Sequence, residues 1–290
     1  MRHRLSLTAL SLMLVTSLHL NSAAADDAGQ VPAPTPRNIP PPTVFRTKPI
    51  YYNMASATLQ DLENDFTIEC KNQTSISNGT IKLGATQYCW FPGLIYKHND
   101  IWYGRANVTM RMTANPGLAT AFVRGNEKGD EIDYEWVGKN TKTVQSTFFN
   151  MGIHPPERTK SVFSPASPDK PDLSKTFHTY TIDYKMDIIE WYINGKRVDA
   201  WANDGKPDRY PTNARELKIN VWDAGSLYPR WAGQTDWTEK PLGEAEISAL
   251  SFEPYIYEGQ NTAPVPSSSP VPKILPAVTS YVSPSAPTNA

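Results

Sequence analysis

Gly129-Asp130-Glu131-Ile132-Asp133-Tyr134-Glu135-Trp136-Val137-Gly138 is a run of strict alternation, with acids at 131, 133 and 135 and large apolar residues at 132, 134 and 136. Successive side chains of a β-strand point to opposite faces, so the three acids share one face and Ile132 and Tyr134 the other. An acidic edge strand bathed in water is the ordinary home for such a run. The large apolar residues on the opposite face argue instead for a central strand packed on a core. The same two-faced pattern returns in Leu217-Lys218-Ile219-Asn220-Val221-Trp222, where aliphatic residues alternate with Lys, Asn and Trp. A hairpin is legible in Ile188–Ile193, Asn194-Gly195 and Lys196-Arg197-Val198, because Asn-Gly suits a type I′ turn with positive φ at both central residues. No long stretch holds a helical period. The expected fold is all-β, a jelly-roll sandwich of two antiparallel sheets with one polar, concave face.

Three carboxylates side by side repel one another, a costly arrangement for a purely structural strand. Glycoside hydrolysis uses such a set: one carboxyl group must be ionised and another protonated, and retaining enzymes hold the pair roughly 5–5.5 Å apart. Four residues of strand separate Cα atoms by about 13 Å, so Glu131 and Glu135 must lean together, which a curved sheet permits. Nearby negative charge favours the protonated form of Glu135. Glu131 is then expected as nucleophile, Glu135 as acid/base and Asp133 as the residue that modulates Glu131. Their order along the strand does not follow from spacing.

The run Asp130-Glu131-Ile132-Asp133-Tyr134-Glu135, continued by Trp136-Val137-Gly138, resembles the signature of glycoside hydrolase family 16 in the form without an extra residue before the last Glu. That form is similar to plant xyloglucan endotransglycosylases and fungal Crh-type chitin–glucan transglycosylases. Tyr103-Gly104-Arg105, Thr120-Ala121-Phe122-Val123, Phe177-His178-Thr179-Tyr180, Val221-Trp222-Asp223 and Thr235-Asp236-Trp237 resemble the flanking blocks. The Glu-Trp-Val-Gly continuation and the lack of a cysteine-rich C-terminal extension resemble the fungal group more than the plant one. The sequence departs from the fungal pattern in showing no cysteine-rich module before the domain and no GPI signal after it. The resemblance implies a retaining mechanism and places Gln145, Lys218, Trp222 and Trp231 in the substrate cleft. The competing readings are a core position for either tryptophan and an ordinary surface position for Lys218. No cofactor or metal is implied. Hydrolysis of β-glucan with the same residues, or sugar binding without turnover, are the alternative functions.

The rest of the chain agrees with work outside the cell. Basic Arg2, His3 and Arg4 precede an apolar run from Leu5 to about Leu20, and Ala23-Ala24-Ala25 offers a cleavage site, so residues 1–25 read as a signal peptide. A Pro-rich linker (26–43), a catalytic domain (44–258) and a Pro/Ser/Thr-rich tail (259–290) follow, the linker and tail being too poor in apolar residues to fold. No other stretch is long and apolar enough to span a bilayer. With 28 Lys and Arg against 29 Asp and Glu, the formal net charge of -1 leaves no surplus of positive charge for nucleic acid. A neutral cell-wall polysaccharide such as chitin or β-glucan is the expected partner, bound by a monomer. Cys70 and Cys89 are the two cysteines and are expected to pair. Asn72, Asn78 and Asn107 open sequons for N-glycosylation.

Overall fold

The structure is a computed structural model that describes residues 45–155, 161–163, 171–206 and 209–256. The expected signal peptide, linker and tail lie outside the described residues. Fifteen strands run in chain order: β1 (Ile50–Asn53), β2 (Phe66–Glu69), β3 (Thr74–Ser77), β4 (Thr80–Ala85), β5 (Gly93–Tyr96), β6 (Gly104–Arg111), β7 (Leu118–Gly125), β8 (Glu131–Val137), β9 (Val144–Phe149), β10 (Ser161–Phe163), β11 (His178–Tyr184), β12 (Ile188–Ile193), β13 (Lys196–Ala202), β14 (Glu216–Asp223) and β15 (Gly243–Pro254). Two one-turn helices, α1 (Leu59–Leu62) and α2 (Pro229–Ala232), complete the described elements apart from a short 3₁₀ turn at Lys71–Gln73.

The strands form two antiparallel sheets. One has the order β13-β12-β11-β6-β15-β4-β3, with β1 also paired to β15; the other has the order β10-β9-β8-β7-β14-β5-β2. The chain crosses between sheets repeatedly, at β4 to β5, β6 to β7, β13 to β14 and β14 to β15, as the expected jelly roll requires. Alternation determines the packing. Ile132, Tyr134 and Trp136 from β8 and Leu217, Ile219 and Val221 from β14 enter one core with Trp191, Tyr180, Ile182 and Phe252 of the facing sheet. The hairpin turn is as read from the sequence: Asn194 and Gly195 have φ of 51° and 75°.

Two bonds across the sandwich fix the acidic strand from behind. Trp191 Nε1 donates to the Asp133 carbonyl at 3.0 Å, and the Tyr134 hydroxyl donates to the Tyr192 carbonyl at 3.1 Å. Tyr134, Trp136 and Tyr180 add aromatic contacts at centroid separations of 4.6–5.8 Å. A strand gripped in this way keeps its outward side chains in register, which a catalytic group needs. At one margin of the β8 sheet a Cys70–Cys89 disulfide joins the end of β2 to the segment before β5.

Candidate active site

Strand β7 lies between β8 and β14, and its outward side chains are small: Ala119, Ala121, Val123 and Gly125. Neighbouring strands are about 4.8 Å apart, so the longer side chains of β8 and β14 stand about 10 Å apart across a low floor. Register defines three rows across this groove. Glu131, Gly125 and Glu216 make the first; Asp133, Val123 and Lys218 the second; Glu135, Ala121 and Asn220 the third. On the far side of β8, Phe149, Thr147 and Gln145 of β9 stand opposite Glu131, Asp133 and Glu135. The three acids therefore occupy one face of a central strand, as read from the sequence.

Glu131 is 5% exposed and Asp133 fully buried, and burial pushes the Glu131 carboxyl upward. A hydrogen bond with Asp133 and the positive charge of Lys218 offset part of this rise, and the carboxyl stays above its ordinary value. Glu135 has no such cation. Burial first, and the facing charge of Glu131 second, raise its carboxyl to about 8, against a smaller downward pull from a hydrogen bond with Trp222. Glu135, facing the charge of Glu131 and raised to about 8, keeps its proton at neutral pH. One open groove thus holds a potential nucleophile and a potential acid, each made so by its neighbours. Lys218 also pairs with Glu216.

Beyond Glu135 the same face turns apolar. Ala119, Ala121, Val123, Val137, Trp222, Ala224, Tyr228 and Ala232 form a second cluster, separate from the core, with Phe91 and Trp231 packed against it. Trp222 and Trp231 lie 5.9 Å apart, and Trp231 Nε1 donates to Gln145 Oε1 at 3.1 Å. Aromatic faces beside polar groups suit the apolar faces and hydroxyl edges of sugar rings. Toward β5 and β2 a polar cleft of about 540 Å³ is lined by Thr67, Ile95, Asn126, Asn213, Arg215 and Glu216, among others.

The loops at the Glu131 end are held by its chain neighbour. Asp130 accepts backbone N–H groups from Met151 at 3.0 Å, Thr212 at 3.0 Å and Asn213 at 2.8 Å, tying the ends of β9 and the approach to β14 to the start of β8. Gly129 is required there: its φ is 94°, and a Cβ would lie 2.5 Å from the Gly152 nitrogen.

All seven expected site residues, Glu131, Asp133, Glu135, Gln145, Lys218, Trp222 and Trp231, thus gather on one sheet face or over it. Neither tryptophan belongs to the main core, and Lys218, 8% exposed, is not a surface lysine. Three residues were missed. Glu216 pairs with Lys218, Asp130 clamps the loops, and Asn220 is fully buried in Glu135's row with no hydrogen-bond partner among the described residues for either amide heteroatom. Such unmet groups cost about 1–3 kcal/mol each unless a water or a sugar hydroxyl fills in. The alternation of β14 already placed Asn220 on this face; the partners of Glu216 and Asp130 come from distant chain segments and left no local sign. Among the described residues no cluster of three or more His, Cys, Asp or Glu could hold a metal ion, and no helix is long and apolar enough to cross a membrane.

Comparison with known proteins agrees with this geometry. The model of "Glycosyl hydrolases family 16" matches residues 62–240. The chain is 33% identical over 219 residues to "Probable glycosidase CRR1" of Saccharomyces cerevisiae, covering 69% of this chain and 50% of that protein. It is 29% identical over 171 residues to "Crh-like protein UTR2" of Candida albicans, covering 56% of this chain and 31% of the relative. The chain therefore spans half or less of the length of these curated relatives. Among solved structures, "Apo Crh5 transglycosylase" superposes with a TM-score of 0.62 at 21% identity, covering 74% of this chain and 88% of the other. A Bacillus licheniformis β-glucanase superposes with a TM-score of 0.57 at 18% identity, covering 71% and 98%. These likenesses establish the jelly-roll fold.

Proposed function

The chain belongs to glycosyl hydrolase family 16, and from that premise we propose that it is a secreted enzyme that cuts a β-linked cell-wall glycan and re-joins the cut end to another sugar. The observation that carries this reading is the pairing in one groove of Glu135, held protonated up to about pH 8, with Glu131, which has Lys218 and Asp133 to favour its charge. Glu131 attacks the anomeric carbon while Glu135 gives its proton to the departing glycosidic oxygen. A glycosyl ester on Glu131 results, and Glu135 is left as a base. An acceptor hydroxyl then attacks the same carbon, loses its proton to Glu135 and releases Glu131. Asp133 and Lys218 govern the charge of Glu131, and Trp222, Trp231 and Gln145 hold sugar rings beside Glu135.

The resemblance of the Asp130–Gly138 run to fungal Crh-type chitin–glucan transglycosylases supports chitin as donor, glucan or chitin as acceptor, and the wall as the place of action. The test is product analysis with a chitin oligomer, with and without a fluorescent glucan acceptor, alongside Glu131→Gln. Labelled hybrid product from the wild type, and at least a thousandfold less from the variant, is the expected result. Shortened oligomers without hybrids would replace transfer by hydrolysis. A 31% identity to a β-glucanase of Paenibacillus macerans makes hydrolysis the second reading. Binding without turnover on chitin, β-1,3-glucan and xyloglucan would leave only a sugar-binding role.

A further inference from the structure

The three sequons occupy unlike places in the fold. Among the described residues strand β3 ends its sheet, with β4 as its neighbour on one side. Asn72 precedes this four-residue strand and Asn78 follows it, and both are exposed. Asn78 sits at the tip of the β3–β4 hairpin with φ of 51°, outside the strand ladder and exposed. Asn107 differs. It lies in the middle of β6, between β11 and β15, and is only partly exposed. Its amide is engaged at both ends: Nδ2 donates to Ser251 Oγ at 3.0 Å, and Oδ1 accepts from Thr181 Oγ1 at 2.7 Å. A sugar on that nitrogen would either displace the hydrogen that meets Ser251 or lie across the paired strands β11 and β15, where a half-buried side chain leaves it little room.

We propose that Asn72 and Asn78 carry N-linked glycans, that Asn107 carries none, and that the two glycans shield the open edge of β3. An unpaired edge offers N–H and C=O groups to any other strand, and folds commonly cover such edges. β3 itself has little defence: its sequence, Thr-Ser-Ile-Ser, contains neither charge nor proline. Two bulky hydrophilic groups, one at each end of a strand about 13 Å long, would block pairing along all of it. In the transfer, the Asn Nδ2–C1 bond forms as the C1–oxygen bond of a lipid-diphosphate-linked oligosaccharide breaks. The lipid diphosphate leaves, and the amide gives up one proton. The inference rests on passage through a secretory route, not on the proposed glycosidase chemistry.

The full chain, directed into a eukaryotic secretory host by a host leader, is digested with peptide N-glycosidase in heavy-oxygen water and its peptides are weighed. Heavy Asp at positions 72 and 78, with unlabelled Asn at 107, is the expected result. Label at 107, or its absence at 72 or 78, overturns the assignment. Sedimentation velocity then compares the wild type with Asn72→Gln/Asn78→Asp, whose exposed substitutions keep the hairpin geometry. Self-association of the variant at concentrations where the glycosylated wild type is monomeric supports shielding. Identical sedimentation of the two overturns it.

Discussion

At the scale of single residues, the site depends on giving two glutamates on one strand opposite protonation states. Lys218 and Asp133 act on Glu131, while Glu135 meets burial and the charge of Glu131. Activity should therefore fall on the alkaline side as Glu135 loses its proton near pH 8, and a pH–rate profile would show that limb. The same shift has a cost in stability. A carboxyl raised to about 8 in the fold contributes fully below its ordinary 4.5, and that contribution is lost as pH rises through about 8. Glu135→Gln has no charge to bury. It should be inactive yet more stable than wild type at pH 9, by a few kcal/mol at about 1.4 kcal/mol per pKa unit, with the difference vanishing below about pH 4. Urea unfolding at the two pH values checks this.

At the scale of elements, the strand between the acids and Lys218 matters for what it lacks. Ala121 lies between Glu135 and Asn220 in register, and its small side chain leaves the groove floor open. Ala121→Leu would raise that floor under the reacting sugar. Activity on polymer should fall at least tenfold, mainly through KM; because Ala121 is buried in the second apolar cluster, overpacking should also lower stability by about 1–3 kcal/mol, and activity per folded molecule separates the two effects. The two central strands were legible in the sequence because their alternation is strict and each buries bulky residues on one side only. The hairpin was legible because Asn194-Gly195 has a conformational reason to be there. The narrow floor was not. Ala119, Ala121 and Val123 signal nothing until register places them between two lines of polar side chains. The clamp by Asp130 was equally silent, since its backbone partners at Met151, Thr212 and Asn213 are brought to it only by the folded sheet.

At the scale of the whole molecule, two sheets share one core, and the acid-bearing face of one is the face proposed to take a glycan. Its margin at β2 is secured covalently, and Cys70 and Cys89 are 19 residues apart. Opening a loop of that size costs about 3 kcal/mol, so Cys70→Ser/Cys89→Ser should unfold at lower denaturant while Glu131 and Glu135 remain in place; activity per folded molecule measured beside stability separates the two effects. The pairing of these cysteines was expected from their number and compartment, whereas which margin they staple required the structure. The central claim is that Glu131 bonds covalently to the sugar before an acceptor removes it. Proton NMR of the donor C1 in the first products formed from a β-glycan, whether a new glycosidic bond to an acceptor or a new reducing end left by water, tests this most directly. The C1 signal should appear first in the β form, permanently in a new glycosidic bond and drifting only later to the α/β equilibrium in a free reducing end. New ends appearing first as α would mean a single displacement by water, and would contradict the role given to Glu131.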